Sequence, residues 1–498
     1  MDASGVRKFA RLLLWHSHTP SVSFEFMREF MRDSRRQVSK HGFAVYTFHL
    51  MLTPKIFREY DIRGVADSEL LSDGVTQLGQ AVGTYMQRHG GGNQINLARD
   101  CRLSSPRLRD AFCAGLKASG CHVTDIGIVP TPLLYYSVFH LKATGGIMIT
   151  GSHNPREYNG FKIMVGQSTI HGHDIQLLRQ MIQANDLAAG EGSEQSYDIV
   201  TPYVDEITSR FHFERRVALV FDGGNGVGGP VFARMVEKLN VQAQGLFLDM
   251  DGRFPNHDPD PTQPDNLAHL IEAVRVSPVD LGIAFDGDSD RIGAVDETGE
   301  VIYGDMLLLL YGREIIARKP GATVIGEVKC SQIMYDELRK AGGNPIMWKT
   351  GHSLIKAKMK ETGAELAGEM SGHMFFADGY YGFDDALYAA CRLIEIVSKS
   401  GKPLSAQLTG IPKMVSTPEL RLDCPDDTKF AVVDRVRKHF QKLYEVNDVD
   451  GARIKFPKGW GLLRASNTGP VLVMRFEAES EELLRQYRNE VEEAVTSS

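Results

Sequence analysis

"RVALVFDGGNGVGGPVFARMVEKL", Arg216–Leu239, contains one complete unit of a fold. A strand-forming run passes through a glycine-rich turn into a helix-forming run. This is the βα step from which layered α/β domains are built. Gly224, Gly226 and Gly229 also satisfy G-x-G-x-x-G, and Asp249 follows at about the distance of a ribose-binding acid, so a dinucleotide-dependent oxidoreductase is one reading. Against it, Asp222 stands between strand and glycines, where its charge would oppose a pyrophosphate. No other segment supplies an obvious hydride-transfer site.

The same alternation extends outward. "DGVTQLGQAVGTYMQRHG" (73–90) has Val75, Leu78, Val82 and Tyr85 at helical spacing, and "SSPRLRDAFCAGLKASG" (104–120) puts Pro106 in a first turn and ends on glycine. "LGIAF" (281–285) and "ATVIGEV" (322–328) read as strands. Near Lys413 the character shifts: a helix pattern, two strand-like runs and a closing amphipathic helix predict a smaller α+β domain. "ARDCR" (98–102), "FDGGNG" (221–226) and "FDGDSDR" (285–291) each end a strand in an Asp-bearing turn, a hint of a repeated unit. The expected fold class is α/β: three similar mixed-sheet domains plus a smaller C-terminal α+β domain around a central cleft. The expected boundaries are 51–197, 198–302, 303–412 and 413–498.

Composition narrows the function. With 498 residues the chain has length for about three to five domains. A net charge of −7 argues against nucleic acid as the main partner, because a phosphate-backbone binder carries a basic stripe. No apolar run approaches the ~18 residues of a membrane span, so no membrane partner is expected. Six cysteines without a C-x-x-C read as reduced thiols in a cytoplasmic protein. Residues 1–50 carry eight Lys/Arg against four Asp/Glu, unlike the acidic remainder. They are expected to be an extension, disordered or weakly ordered, or the product of an overlong start assignment.

Four stretches carry chemistry. In "DGDSDR", Asp286, Asp288 and Asp290 alternate with Gly287 and Ser289 between apolar strands. Carboxylates so close repel one another unless a cation neutralises them. Glu297 completes the length of an EF-hand loop, but its sixth position requires glycine and holds Arg291, and the flanks read as strands. Mg²⁺ suits the triplet better, since an octahedral ion on three carboxylates keeps positions for a phosphoryl oxygen. "TGSHNP" (150–155) sets Ser152 in a turn after the apolar run "GGIMI". "AGEMSGHMFF" (367–376) places Glu369 beside Ser371, a pair able to grip adjacent sugar hydroxyls. "LLRASNTGPVLVMRFE" (462–477) sets Arg464, Ser466, Asn467, Thr468 and Gly469 between two strand-like runs, with the donors of an anion cradle.

In this order, "TGSHNPREYNGFKI", "DGDSDR", "GEMSGH" and "RASNTGP" resemble the phosphoserine, metal, sugar-recognition and phosphate-binding loops of the α-D-phosphohexomutase family. The resemblance runs from Met51 to the end. Met370 within "GEMSGH", and "FREYDIRG" (57–64), resemble the bacterial phosphomannomutase/phosphoglucomutase branch. It implies reversible interconversion of hexose 1- and 6-phosphates, of mannose and glucose, by a monomeric enzyme acting on small sugar phosphates. Ser152 would carry a phosphoryl group and, with Asp286, Asp288 and Asp290, hold one Mg²⁺. The phosphoserine would pass through glucose or mannose 1,6-bisphosphate, which must turn over between two phosphate sites. Lys162 and Arg291 would supply positive charge, with Lys162 and His352 of "KTGHSLIK" as acid/base candidates and His153 ordering the phosphoserine loop. Glu369 and Ser371 would hold O3 and O4, with His373 in the same loop. Arg464, Ser466, Asn467 and Thr468 would bind the distal phosphate, with Tyr60, Arg63 and Lys329 as further contacts.

Ala98 and Cys101 stand where the family pattern has glycines near Asp100 and Arg102, so support of the phosphoserine loop is expected to differ slightly. Two other readings are a phosphoglucosamine mutase, which would prefer another residue at Met370, and a catalytically silent binding or scaffold protein.

Overall fold

The computed structural model describes residues 52–467 and 469–496; residues 1–50 and Thr468 lie outside them. Four sheets follow one another along the chain. The first contains β1 (Ile62–Val65), β2 (Gln94–Arg99), β3 (His122–Ile128), β4 (Gly145–Ile149), β5 (Tyr158–Val165), β6 (Ser168–Thr169) and β7 (Glu194–Ser196). Its order is β1-β5-β4-β2-β3-β7, with β6 on β5. The second holds β8 (Val217–Asp222), β9 (Val241–Leu246), β10 (Leu281–Phe285), β11 (Ile292–Asp296) and β12 (Val301–Ile302), ordered β12-β11-β10-β8-β9. The third holds β13 (Thr323–Glu327), β14 (Asn344–Trp348), β15 (Leu366–Gly368) and β16 (Met374–Phe376), ordered β14-β13-β15-β16.

These three sheets share one plan. A central strand (β2, β8, β13) has parallel neighbours on both sides, and the later neighbour (β4, β10, β15) turns back into an antiparallel strand (β5, β11, β16). Parallel neighbours require crossover helices that cover the faces, which is why β4 and β10 are buried along their whole length. The fourth sheet, β17 (Val415–Ser416), β18 (Leu420–Asp423), β19 (Glu445–Asn447), β20 (Ala452–Phe456), β21 (Gly459–Ala465) and β22 (Val471–Ala478), is antiparallel throughout. The helices Lys429–Phe440 and Glu481–Thr496 pack on it, as the change of pattern near Lys413 predicts.

One apolar core runs through the first three units, joining Tyr135, Phe221, Phe285, Leu307, Phe376 and Leu387. The C-terminal sheet has its own core around Phe440, Phe456, Phe476 and Tyr487. All six cysteines are free thiols. Among the described residues no helix is long and apolar enough to cross a membrane.

Candidate active site

Three of the four chemical loops occupy the same position in their sheets. Each connects the buried strand to its antiparallel return: β4 to β5 carries Ser152, β10 to β11 the aspartates, and β15 to β16 Glu369 and Ser371. A hairpin connection at the end of a buried strand must satisfy its own backbone groups, and each loop does so through buried side chains.

Ser152 is 2% exposed and has φ of 49°, in the left-handed region unusual for a non-glycine residue. The loop is over-determined by Asp100 and Arg102. Asp100 Oδ2 accepts from the Gly151 N–H (3.0 Å). The Arg102 guanidinium donates to the carbonyls of Ser152 (2.7 Å), Asn154 (2.6 Å), Pro155 (2.7 Å) and Tyr158 (3.2 Å). Ala98 lies in the core of β2, and Cys101 directs its Sγ to Asn225 O (3.5 Å), so neither departure from glycine intrudes on the loop.

Ser152 Oγ donates to Asp286 Oδ2 at 2.8 Å and lies 3.1 Å from His153 Nδ1. Asp286, Asp288 and Asp290 are fully buried, and one oxygen from each lies within 4.8 Å of the others. Thr131, opening the helix Thr131–His140, donates its hydroxyl to Asp288 Oδ2 (2.6 Å) and its N–H to Asp288 O (2.9 Å). Lys162, on β5, donates to Asp288 Oδ2 at 2.7 Å and pairs closely with Asp290 Oδ2.

Burial, then Asp288 and Asp290, push the Asp286 carboxyl well above its usual range. For Asp290 burial acts the same way but is outweighed by Lys162 and His373, which hold it well below. The lysine is raised despite burial, by Asp288 and Asp290. Asp288 Oδ1 is buried without a hydrogen-bond partner. Three converging carboxylates with an unspent oxygen are the donor set of a hard divalent cation, so these residues fit one.

His373 ties the metal loop to the sugar loop. Its Nε2 is 3.2 Å from Asp290 Oδ1 and its Nδ1 is 2.6 Å from Glu369 Oε2. Burial is outweighed by Asp290, and the imidazole is pushed up to about 9. Glu369 Oε1 accepts from the Gly351 N–H (2.7 Å); against burial, His373 and then Lys329 draw the carboxyl down to about 2. Ser371 Oγ is 3.2 Å from His373 Nδ1. Arg291 donates its N–H to Asp286 Oδ1 (3.1 Å), with Nε 3.4 Å from His373 Nε2. His352 opens the helix His352–Thr362, its ring 5.8 Å from that of His373. Burial, then Lys356, hold it well below the usual imidazole range, and burial, then Arg291, do the same to His153.

The distal group lies beyond Gly351. Arg464 Nε donates to Asp450 Oδ2 (3.0 Å), which also accepts from Thr350 N (3.1 Å). Tyr60 donates to Thr350 O (2.9 Å) and accepts from Asn467 Nδ2 (2.6 Å). Lys429 supports the loop by donating to Ser466 O (2.5 Å) and Gly469 O (3.0 Å). Lys329 lies between Glu419 (3.1 Å) and Glu327 (3.4 Å), and Arg63 pairs with Asp61 (2.5 Å). A continuous chain of contacts thus links Ser152, through Asp286, Arg291, His373, Glu369, the Thr350–Gly351 backbone and Asp450, to Arg464.

The glycine loop has another task than binding a dinucleotide. Asp222 accepts from Gly224 N (2.8 Å) and His257 Nε2 (3.0 Å), and a Cβ at Gly226 would meet Gly287 O at 2.7 Å. The glycines let this turn press against the metal loop, whose Gly287 O accepts from Val227 N (3.1 Å). Sequence reading missed Thr131, Lys429 and Asp384, and named Asp100 and Arg102 without their clamp; only "ARDCR" offered a signal.

Four family profiles match in order: phosphoglucomutase/phosphomannomutase alpha/beta/alpha domain I over residues 54–189, domain II over 201–299, domain III over 303–414 and the C-terminal domain over 419–494. The phosphomannomutase/phosphoglucomutase of Pseudomonas aeruginosa is 45% identical over 452 residues, 90% of this chain and 97% of that one. The phosphoglucomutase of Neisseria gonorrhoeae is 41% identical over 452 residues, 90% of this chain and 98% of that one. A crystal structure of a phosphoglucomutase/phosphomannomutase family protein from Burkholderia thailandensis superposes with a TM-score of 0.84 at 43% identity, covering 89% of this chain and 98% of that one. With its loops in one site, four family profiles matched in order and relatives 41% and 45% identical over 90% of its length, the chain belongs to the phosphoglucomutase/phosphomannomutase family.

Proposed function

We propose that this phosphohexomutase, an isomerase, interconverts the 1- and 6-phosphates of mannose and glucose through a phosphorylated Ser152 and a hexose 1,6-bisphosphate. The observation that carries the reading is Ser152 Oγ at 2.8 Å from Asp286, inside a buried triad of aspartates. Asp286, Asp288 and Asp290 would hold Mg²⁺ beside that oxygen, and the ion would supply charge neutralisation for the transferring phosphoryl group. Arg102 and Asp100 fix the seryl oxygen, since phosphoryl transfer depends on in-line positioning. Lys162 and Arg291 add positive charge, and Lys162 releases a proton only when the substrate loosens its hold on Asp288 and Asp290. His153, kept neutral, accepts or orients the seryl proton, and His352 serves the opposite side of the sugar.

Glu369, Ser371 and His373 take the sugar hydroxyls. A grip on O3 and O4 leaves C2 free, which admits both gluco- and manno-sugars. Arg464, Ser466, Asn467 and Thr468, with Tyr60, Arg63 and Lys329, bind the phosphate that is not reacting. The working unit is a cytoplasmic monomer with boundaries at 51–197, 198–302, 303–412 and 413–498.

Ser152→Ala tests this reading. The variant is expected to lose turnover of mannose and glucose 1-phosphates by roughly 10³-fold or more, and to lack the phosphate adduct expected in the intact mass of the native protein. Unchanged turnover would refute the phosphoserine route.

A further inference from the structure

Beside the aspartate triad lies a second group of buried ligand atoms, His373 Nε2, Asp290 Oδ1 and Asp384 Oδ2, all within 4.8 Å of one another. Asp290 and Asp384 are 0% exposed and His373 is 4%. Each carboxylate spends one oxygen on a lysine: Asp290 Oδ2 pairs closely with Lys162, and Asp384 Oδ1 accepts from Lys356 at 3.0 Å. The other oxygens, Asp290 Oδ1 and Asp384 Oδ2, are buried, have no hydrogen-bond partner, and lie 3.2 and 4.0 Å from His373 Nε2.

The imidazole is oriented from behind. Glu369 Oε2, 2.6 Å from Nδ1, holds the ring so that Nε2 faces the two carboxylates. Arg291 Nε approaches Nε2 only at 3.4 Å. A carboxylate behind a histidine whose other nitrogen faces oxygen ligands is the recurring frame of protein zinc sites. Ligand atoms about 2.0–2.1 Å from a tetrahedral zinc are roughly 3.3 Å apart, between the two separations found here. One nitrogen with two carboxylate oxygens suits a borderline transition ion better than a hard one.

We infer that His373, Asp290 and Asp384 form a second divalent-cation site, for an ion of the Zn²⁺ class, that shares Asp290 with the aspartate triad. The sharing couples the two sites. A zinc ion here draws on Asp290 and holds His373 in place, so it inhibits turnover without displacing the ion of the triad.

The test uses the full-length protein saturated with Mg²⁺ and titrated with zinc chloride. Bound metals are counted after equilibrium dialysis, and X-ray absorption is recorded on the zinc-loaded protein. The expected result is one zinc per chain with Mg²⁺ retained, an imidazole nitrogen at about 2.0–2.1 Å from the zinc, and at least tenfold weaker zinc binding in Asp384→Asn at unchanged Mg²⁺ content. Displacement of Mg²⁺ one for one, an oxygen-only shell, zinc binding unaltered in Asp384→Asn, or no bound zinc would overturn the inference. The last outcome means that a proton on His373 fills the position. The absorption measurement needs no variant, so it decides the question even if Asp384→Asn fails to fold.

Discussion

Arg102 holds the Ser152 loop in place without touching the Ser152 hydroxyl. Its guanidinium is buried, lies over the Phe254 ring at 5.2 Å, and spans four carbonyls of the Ser152 loop while its Nε lies 3.2 Å from Asp100. A planar fork can do this; an ammonium is a point donor and cannot. Arg102→Lys is therefore expected to lower kcat about 10- to 100-fold with KM changed little, because a misplaced nucleophile loses near-attack geometry before substrate affinity. Denaturant unfolding should show a loss of about 2–3 kcal/mol, as for lost charged hydrogen bonds. A KM effect with unchanged kcat would place Arg102 in substrate binding instead. The aspartates were legible in the sequence by charge and spacing, and Ser152 through the resemblance of "TGSHNP" to a family loop. The acceptors of Arg102 are main-chain carbonyls, which leave no mark on residue identity.

The elements repeat a design that the sequence displayed only in outline. "ARDCR", "FDGGNG" and "FDGDSDR" looked like one turn seen three times. Sheet order shows that the first two follow the central strands β2 and β8, whereas the third follows β10 and is the partner of "TGSHNP" after β4. The third unit's counterpart of "ARDCR" ends β13, where Glu327 accepts from Met370 N (3.1 Å) much as Asp100 accepts from Gly151 N. Register and strand order arise from non-local pairing, so matching turns alone could not separate the two kinds. The loops meet by close backbone approach: a Cβ at Gly287 would come within 2.6 Å of Ser152 O. Gly287→Ala should push the metal loop off the serine, at a cost of about 1–3 kcal/mol in denaturant unfolding and with weakened Mg²⁺ binding by calorimetry. Unaltered Mg²⁺ affinity would mean that the two loops tolerate separation.

At the scale of the whole molecule, the distribution of cores decides what moves. One apolar core joins the first three units, the first of which also has a core of its own around Phe112, Phe161 and Leu178, whereas the C-terminal sheet shares no core with them and meets β13's end through a small cluster of Val328, Trp460 and Leu462. Polar bonds anchor that side, from Ser331 Oγ to Glu477 (2.6 Å) and from Arg453 to Cys330 O (2.8 Å). Across the cleft, Asn467 donates to Tyr60, which in turn donates to Thr350 O, joining the first, third and fourth units at one phenol. Burial pushes that phenol up to about 12, so it remains a donor at any working pH. The C-terminal unit is thus joined on one side and latched on the other, an arrangement suited to covering a sugar phosphate and excluding water from it. Tyr60→Phe removes the latch and leaves the joined side. With one or two hydrogen bonds lost at about 0.5–1.5 kcal/mol each, KM for the hexose phosphate should rise roughly 3- to 10-fold while the melting temperature stays close to that of the native protein. Small-angle scattering of the ligand-saturated variant should give a larger radius of gyration than the native complex. If KM and scattering both match the native protein, the phenol is not the latch, and closure must be driven by the phosphate's own contacts with Arg464.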